Sequence, residues 1–298
     1  MQLSTVLKNL ILLALLAVLL PHVVGVVRQL GDFGHIGTGS RVAVVPIKGA
    51  LADSSCYAEQ LRDHFKAADI KAILLKFDCP GGAQGTGEAL FNELQIFKRE
   101  YRKPVIALVE NLCTSAGYLV ACAADAIVAS PSAVVGSIGT LLPCQFKLHD
   151  FLAQHHIGYT PIKAGDYKMA GDMFVPTTPE DEALLQGVVD DAYDQLVRTV
   201  ATQRRLSPDT RDAWANGRIF TGMRAKQIGL IDAIGSLQTA ADIIRQEALI
   251  DGEIEWVEES CAPLWQRLLG IPNKGWKIPH SVLATLVGCF AQTHSGLE

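Results

Sequence analysis

Three loops of this sequence combine glycine, serine or lysine in patterns that could support acyl transfer to a hydroxyl group. The first reads KFDCPGGAQG and covers residues 76–85, and the second reads VENLCTSAGY and covers residues 109–118. The third, which contains lysine, methionine and aromatic residues, covers residues 161–180. The first two each follow an apolar run typical of a buried strand and precede a run typical of a helix. Such turns can present backbone N–H groups or a side chain to a ligand.

The Pro-Gly-Gly turn at residues 80–82 and the serine at position 115 each have a structural and a chemical interpretation. Glycine leaves N–H groups bare beside a ligand, but a sharp strand-to-helix turn needs glycine in any case. Ser115 would stand at the first turn of a helix, where the N–H of Ala116 could stabilise an oxyanion. Ser115 or Thr114 could equally cap that helix. On each loop alone, the structural interpretation is favoured.

A nucleophilic serine needs a base, and histidine is the usual one. The eight histidines fall in the N-terminal apolar segment, in a linker, in helical runs or in the tail, and His64 is predicted on a charged helix surface. No Ser-His-Asp arrangement is indicated. The third loop instead offers Lys163 and Lys168. A surface lysine is usually solvated, but burial among apolar side chains favours the neutral amine, which is a competent general base.

Composition excludes several classes of site. The 298 residues are 49% hydrophobic and 19% charged, which is sufficient for a sizeable core. A net charge of -5 gives no reason to expect a nucleic-acid partner. The seven cysteines include no C-x-x-C pair and no Cys/His cluster, so the sequence indicates neither a metal site nor a disulfide framework. Buried free thiols are expected instead.

An apolar segment near the N-terminus predicts a membrane anchor. Nineteen uncharged residues, NLILLALLAVLLPHVVGVV, separate Lys8 from Arg28. As a helix they would span about 28 Å, which is close to the thickness of a bilayer core. A cleaved signal peptide is the alternative, but no A-x-A-like site follows the segment. An anchor here places the N-terminus in the cytoplasm and the remaining chain on the outer, periplasmic face of the inner membrane. The bias of positive charge that favours this orientation is weak.

Apolar strands and amphipathic helices alternate after a glycine-rich linker. The strands are predicted at residues 41–47, 70–77, 104–109 and 126–129, and the helices between them at 54–66, 86–99 and 115–124. Further helices are predicted at 178–203 and 236–248, with a shorter one from Ser207. The alternation predicts an α/β fold with a mostly parallel sheet covered by helices.

Taken in order, these motifs resemble the signal peptide peptidase A family of serine-lysine membrane peptidases. The similar segments include KFDCPGG, TSAGYLVACAADAIVASPSAVVGSIGT, IKAGDYKMAGDMFVPTTPEDEALLQGVVDDAY and NGRIFTGMRAKQIGLIDAIGSLQTA. The resemblance runs from about residue 41 to residue 248. It implies a Clp-protease/crotonase-like fold of repeated β-β-α units with superhelical arrangement, preceded by one transmembrane helix. The implied organisation is a leader at 1–8, an anchor at 9–27, a linker at 28–40, a peptidase domain at 41–250 and a C-terminal extension at 251–298.

The resemblance also implies a role for individual residues. Ser115 matches the nucleophile, and Lys168 matches the general base, whereas the other lysine of the loop matches a position without a catalytic role. Gly82 and Ala116 match the N–H donors of the oxyanion hole. Ser137 matches the serine that helps to hold the lysine amine.

Two positions depart from the family pattern. Ala116 stands where the family usually has glycine, and alanine still donates its N–H but disfavours positive φ. Asp78 precedes Cys79 where the family often has Asn-Ser, and an acid pointing into the site would oppose a developing negative charge. We expect Asp78 to point away.

The implied reaction is hydrolysis of apolar peptides near the membrane, such as signal peptide remnants, without metal or cofactor. The implied assembly is a ring of identical subunits, eight for a chain that carries the motifs once, with each site shared between neighbours. Two alternatives remain open. A crotonase-like acyl-CoA hydratase or hydrolase would share the sheet and the paired N–H donors, and a catalytically silent membrane scaffold would bind peptides without cleaving them.

Overall fold

A computed structural model describes residues 40–142 and 146–258. The predicted leader and anchor lie outside the described residues, as do the first twelve residues of the linker and the tail beyond residue 258. Among the described residues, no helix is long and apolar enough to cross a membrane. Apart from Ser40, the described residues belong to one structural unit, Arg41–Glu298.

In the part of the chain that the structure describes, eight strands form one mixed sheet in which parallel pairing prevails. Parallel pairs join the first strand to the second, the second to the third, the third to both the fourth and the fifth, and the fourth to the seventh. The fifth and sixth pair antiparallel. The predicted α/β fold with a mostly parallel sheet is therefore confirmed. The strands are β1 (Ser40–Lys48), β2 (Ile70–Cys79), β3 (Val105–Thr114), β4 (Ala126–Ala129), β5 (Val134–Gly136), β6 (Ile219–Thr221), β7 (Ala233–Ile234) and β8 (Ile254–Glu258).

Seven α-helices and two 3-10 helices are present among the described residues. The longest, α5, begins with Pro179 after a capping box formed by Thr178 and Asp181, as its sequence predicts. Ser207 caps a 3-10 helix, Pro208–Ala213, where a short helix was expected. The α-helices are α1 (Ser55–Lys66), α2 (Gln84–Tyr101), α3 (Ala116–Ala121), α4 (His149–Gln154), α5 (Pro179–Arg204), α6 (Gly222–Gln227) and α7 (Leu237–Glu247).

The sheet separates two apolar cores because successive strand residues point to opposite faces. Ala43, Val45 and Ile47 of β1 belong to the larger core, which includes residues of α1, α2, α3 and α5. Val42 and Val44 face the smaller core beneath α7. At one edge β8 lies next to β1, so residues 254–258 of the predicted C-terminal extension form part of the sheet.

The third strand is the branching point of the sheet. Its first part, Ile106–Val109, pairs with β4, whereas Leu112–Thr114 pairs with β5. Thr114 lies opposite Gly136 in this second ladder. The residues that follow β3 and β5 therefore emerge side by side, and these are Ser115 and Ser137.

An ion pair ties the end of α5 to the segment before β7. The two terminal nitrogens of Arg204 donate to the two carboxylate oxygens of Asp232, each at 2.8 Å. Asp232 also accepts a hydrogen bond from the Ile127 N–H at 2.8 Å. The Arg204 side chain is only 9% exposed, so it depends on this carboxylate for its charge compensation.

Replacing Asp232 with alanine is expected to lower the free energy of unfolding by about 2–3 kcal/mol, because it leaves a largely buried guanidinium without its partner. Urea denaturation of the full chain measures this change. The matched control is Asp242→Ala, which removes an exposed pair with Arg245 and is expected to cost less than about 1 kcal/mol. Equal losses in the two variants would contradict a special role for Asp232.

Candidate active site

Ser115 lies between β3 and α3 in a rare backbone conformation. Its φ is 53° and its ψ is -127°, a region that costs a non-glycine residue about 1–3 kcal/mol. The conformation is held by two backbone hydrogen bonds, from the Ser115 N–H to the Gly136 carbonyl at 2.8 Å and from the Leu119 N–H to the Ser115 carbonyl at 3.0 Å. The Ser115 side chain makes no capping hydrogen bond. The hydroxyl is therefore not used as a helix cap, and the capping interpretation of Ser115 is not supported.

The Pro-Gly-Gly turn packs directly against Ser115. A Cβ atom on Gly81 would lie 2.7 Å from the Ser115 Cβ and 3.2 Å from its Oγ. Gly81 also has a φ of +107°. Only glycine allows this approach, so the first and second loops of the sequence analysis meet at the serine hydroxyl.

The turn leaves one N–H group unused at its centre. Leu51 bridges the turn, since its N–H donates to the Gly81 carbonyl at 2.7 Å and its carbonyl accepts from the Ala83 N–H at 2.9 Å. Between these two bonds, the Gly82 N–H has no acceptor among the described residues. Gly82 is exposed and has a φ of +148°. Its N–H is thus available to a ligand.

Ala116 supplies the second available donor. It is the first residue of α3, where an N–H has no acceptor within the helix. Because Ala116 is helical, the preference of glycine for positive φ has no consequence at this position. Its methyl group fits because Gly87 of α2 faces it, and a Cβ on Gly87 would lie 2.9 Å from the Ala116 Cβ. Alanine is therefore compatible with the predicted donor role.

Ser137 lies beside Ser115 through the pairing of β3 with β5. The Ser115 N–H is bonded to the carbonyl of Gly136, the residue before Ser137. Ser137 has a φ of 50°, and its N–H donates to the Arg218 carbonyl at 2.9 Å. Both serines are half-buried. The structure thus brings together two of the predicted site residues whose positions are 22 apart in the chain.

Lys168 occupies a 3-10 turn, Asp166–Met169, and is exposed. Tyr167, the residue before it, is itself 53% exposed. Lys163 donates through Nζ to the Asp166 carbonyl at 2.5 Å. The apolar surroundings expected for Lys168 are therefore not found among residues 40–142 and 146–258, and its role stays a prediction.

The sequence also led to expectations for Asp78 and His64. The carboxylate of Asp78 accepts a hydrogen bond from the Asn111 amide at 2.9 Å, so a neighbouring side chain already binds it. His64 is only 5% exposed, and its predicted place on a charged surface is wrong. It lies on the side of α1 that packs with Leu61 and Phe65.

Three thiols of the described residues are buried, and none is a competing nucleophile. Burial raises the pKa of Cys79 and Cys113, which are paired in register on β2 and β3. Burial likewise raises the pKa of Cys122 to about 12. All three are free, as expected, and their protonated sulfurs are poor nucleophiles. The expectation is wrong for Cys56, which is disulfide-bonded.

No group of three or more His, Cys, Asp or Glu side chains is arranged to hold a metal ion within 40–142 and 146–258. The groups available for chemistry in this region are the Ser115 hydroxyl and the N–H groups of Gly82 and Ala116. That arrangement suits attack on a carbonyl and stabilisation of the resulting oxyanion.

Comparison with known proteins identifies the family. Residues 98–251 match the model of peptidase family S49, and this range contains Ser115, Ser137 and Lys168. A protein of Synechocystis sp. named as a protease is 30% identical over 239 residues, which cover 78% of this chain and 84% of that protein. The chain belongs to peptidase family S49. The resemblance to the signal peptide peptidase A family is thereby confirmed.

Two further relatives show how much of each protein is shared. A protein of Methanocaldococcus jannaschii named as a protease is 34% identical over 196 residues, which cover 66% of this chain and 62% of that protein. The chloroplastic serine protease SPPA of Arabidopsis thaliana is 32% identical over 211 residues, covering 68% of this chain but 31% of that protein. This S49 chain therefore spans less than two thirds of these two relatives.

Proposed function

We propose that this S49 chain is a serine endopeptidase in which Ser115 is the nucleophile and Lys168 the general base. The observation that carries the proposal is the state of the Ser115 hydroxyl. It is held in a strained backbone conformation, is not used for capping, and lies against Gly81 of the Pro-Gly-Gly turn. Strain of this kind is typical of positions where geometry serves chemistry.

In the proposed mechanism, Ser115 Oγ attacks a peptide carbonyl while the neutral amine of Lys168 accepts its proton. The N–H groups of Gly82 and Ala116 stabilise the oxyanion, and one such donor is worth about 3 kcal/mol in the transition state. Lys168 then donates the proton to the leaving amine. Water activated by the same lysine hydrolyses the acyl-enzyme, and the Ser137 hydroxyl steadies the lysine amine throughout. None of these steps uses a metal or a cofactor.

Assembly of identical subunits would complete this site. The loop that carries Lys168 is exposed in the single chain, and so are many large apolar side chains of the same region. Exposed apolar residues in such number are typical of an interaction surface. We assign this surface to a second copy of the chain, within a closed ring that we expect to contain eight subunits. The exposed residues include Leu141, Phe146, Phe151, Ile162 and Val188.

The protein would act at the inner membrane. The apolar segment at residues 9–27 would anchor the protein in the inner membrane, with the peptidase domain on the periplasmic face. The disulfide at Cys56 supports an oxidising compartment, where such bonds persist. Substrates there would be apolar peptides close to the bilayer, such as signal peptide remnants. Family membership also supports the Clp-protease/crotonase-like superhelical arrangement of the domain.

A cleavage profile with a peptide library tests the substrate class. The full-length protein in lipid vesicles is expected to cleave preferentially beside small or apolar residues, because the proposed substrates are apolar peptides close to the bilayer. Ser115→Ala, prepared identically, is the control that measures cleavage by contaminating proteases. A preference for charged residues would contradict the proposed substrates, and an identical profile from the control would contradict the assignment of Ser115.

A further inference from the structure

The side chain of Gln84 links three separate segments at the edge of the candidate site. Gln84 is the first residue of α2 and follows the Pro-Gly-Gly turn after a single alanine. Its Nε2 donates to the Ala192 carbonyl at 2.7 Å and to the Glu88 carboxylate at 2.9 Å. Its Oε1 accepts from the Thr140 hydroxyl at 2.8 Å. One amide thus uses both its donor and its acceptor groups.

Each distant partner belongs to a segment that carries a predicted site residue. Thr140 lies three residues after Ser137. Ala192 lies within α5, the helix that follows the loop of Lys168. The Gln84 side chain therefore connects the turn that contains Gly82 to the Ser137 segment and to the helix behind the lysine loop.

The turn needs such a connection because its own residues provide little rigidity. Gly81 and Gly82 have no side chains, and α2 begins without a side-chain cap. Leu51 holds the turn through backbone hydrogen bonds, and Gln84 anchors its exit to two further segments. An oxyanion donor acts only when it lies about 2.7–3.1 Å from the developing charge. A misplacement of about 1 Å can cost about 100-fold in rate.

We propose that Gln84 is a positioning residue that fixes the Gly82 N–H for oxyanion binding through its hydrogen bonds to Thr140 and Ala192. The inference rests on the proposed peptidase function. In this role Gln84 acts on kcat through the geometry of the turn rather than on substrate binding.

A second glutamine provides a matched control on the same pair of helices. Gln95 of α2 donates through Nε2 to Gln203 Oε1 of α5 at 3.3 Å. It lies eleven residues further along α2, about 16 Å from Gln84 along the helix axis, and it contacts neither the turn nor the Ser137 segment. Removal of Gln95 thus tests the general effect of weakening the contact between α2 and α5.

The experiment compares kcat and KM of the full-length protein and its variants on a chromogenic apolar peptide ester. Gln84→Ala is expected to lower kcat about 10-fold with KM within about two-fold of the wild type. Gln95→Ala is expected to keep the wild-type kcat. Its thermal midpoint should shift by about as much as that of Gln84→Ala. Thr140→Val removes one of the same hydrogen bonds from its other end and is expected to lower kcat about three-fold. The double variant Gln84→Ala/Thr140→Val should match Gln84→Ala alone, because the two changes break one shared interaction.

The outcomes separate this inference from the function on which it rests. A wild-type kcat in Gln84→Ala, or an equal loss in Gln95→Ala, would overturn the positioning role. If Gln84→Ala does not fold, Thr140→Val decides, since a wild-type kcat there would also overturn it. Absence of Ser115-dependent hydrolysis in the wild type would overturn the proposed function itself, and this inference with it.

Discussion

Replacement of Ser115 with alanine is expected to lower kcat for peptide hydrolysis by about 10⁵–10⁶-fold, the loss typical of a removed nucleophile. The fold should be unaffected, because the Ser115 side chain makes no capping bond. The bonds that hold this residue, to Gly136 and Leu119, come from its backbone and persist in the variant. Hydrolysis rates and urea denaturation of the same preparations measure both effects.

A capping serine is the matched control for this substitution. Ser236 accepts a hydrogen bond from the Gln238 N–H and caps α7. Ser236→Ala is expected to keep its activity and to lose about 1 kcal/mol of unfolding free energy. The two variants should therefore respond in opposite ways. Ser115→Ala should lose activity and keep its stability, whereas Ser236→Ala should lose stability and keep its activity.

A serine-reactive acylating probe gives a second measurement. Mass spectrometry should locate the label on the peptide that contains Ser115, and Ser115→Ala should remain unlabelled. Substantial hydrolysis by Ser115→Ala, or labelling at another residue, would contradict the assignment of the nucleophile.

The sheet could be predicted because its central strands are almost continuously apolar. Val42–Ile47 and Ala72–Leu75 are buried, and such runs between helices indicate a parallel sheet covered on both faces. The helix boundaries were less accurate. The helix after Ser115 ends at Ala121 rather than at residue 124, and α2 begins at Gln84 and ends at Tyr101. Local propensity defines a helix but not the contacts that end it.

The role of Ser115 could not be decided from its loop alone. A nucleophile and a helix cap both place serine before a helix, and the difference lies in φ, ψ and the partner of the hydroxyl. The proximity of Ser137 depends on the branching of β3, which is a long-range pairing. Gln84 carried no signal at all, since an isolated glutamine is common on helices and its partners lie 56 and 108 residues away.

The surroundings of Lys168 could not be predicted from its own loop. A run of aromatic and methionine residues predicts apolar surroundings only if other segments cover it, and within one subunit Lys168 stays exposed. In the proposed assembly, the covering residues come from a neighbouring subunit.

Lys168→Ala is expected to lower kcat by at least about 10⁴-fold, because the Ser115 hydroxyl then has no base. Lys163→Ala is the matched control from the same loop, since its Nζ is bonded to the Asp166 carbonyl, and it is expected to keep near-wild-type activity. Loss of activity in both variants, or in neither, would contradict Lys168 as the base.

Mixing the two inactive variants tests whether a site is shared between subunits. In a ring of randomly mixed Ser115→Ala and Lys168→Ala subunits, a shared site works wherever an intact Ser115 meets an intact Lys168 across an interface. Equal mixing should restore about a quarter of wild-type activity, because one in four head-to-tail contacts has this order. Each variant mixed with itself should stay inactive. A mixture without recovered activity, in rings shown by native mass spectrometry to contain both variants, would contradict a shared site and would place Lys168 and Ser115 of one dyad in the same chain.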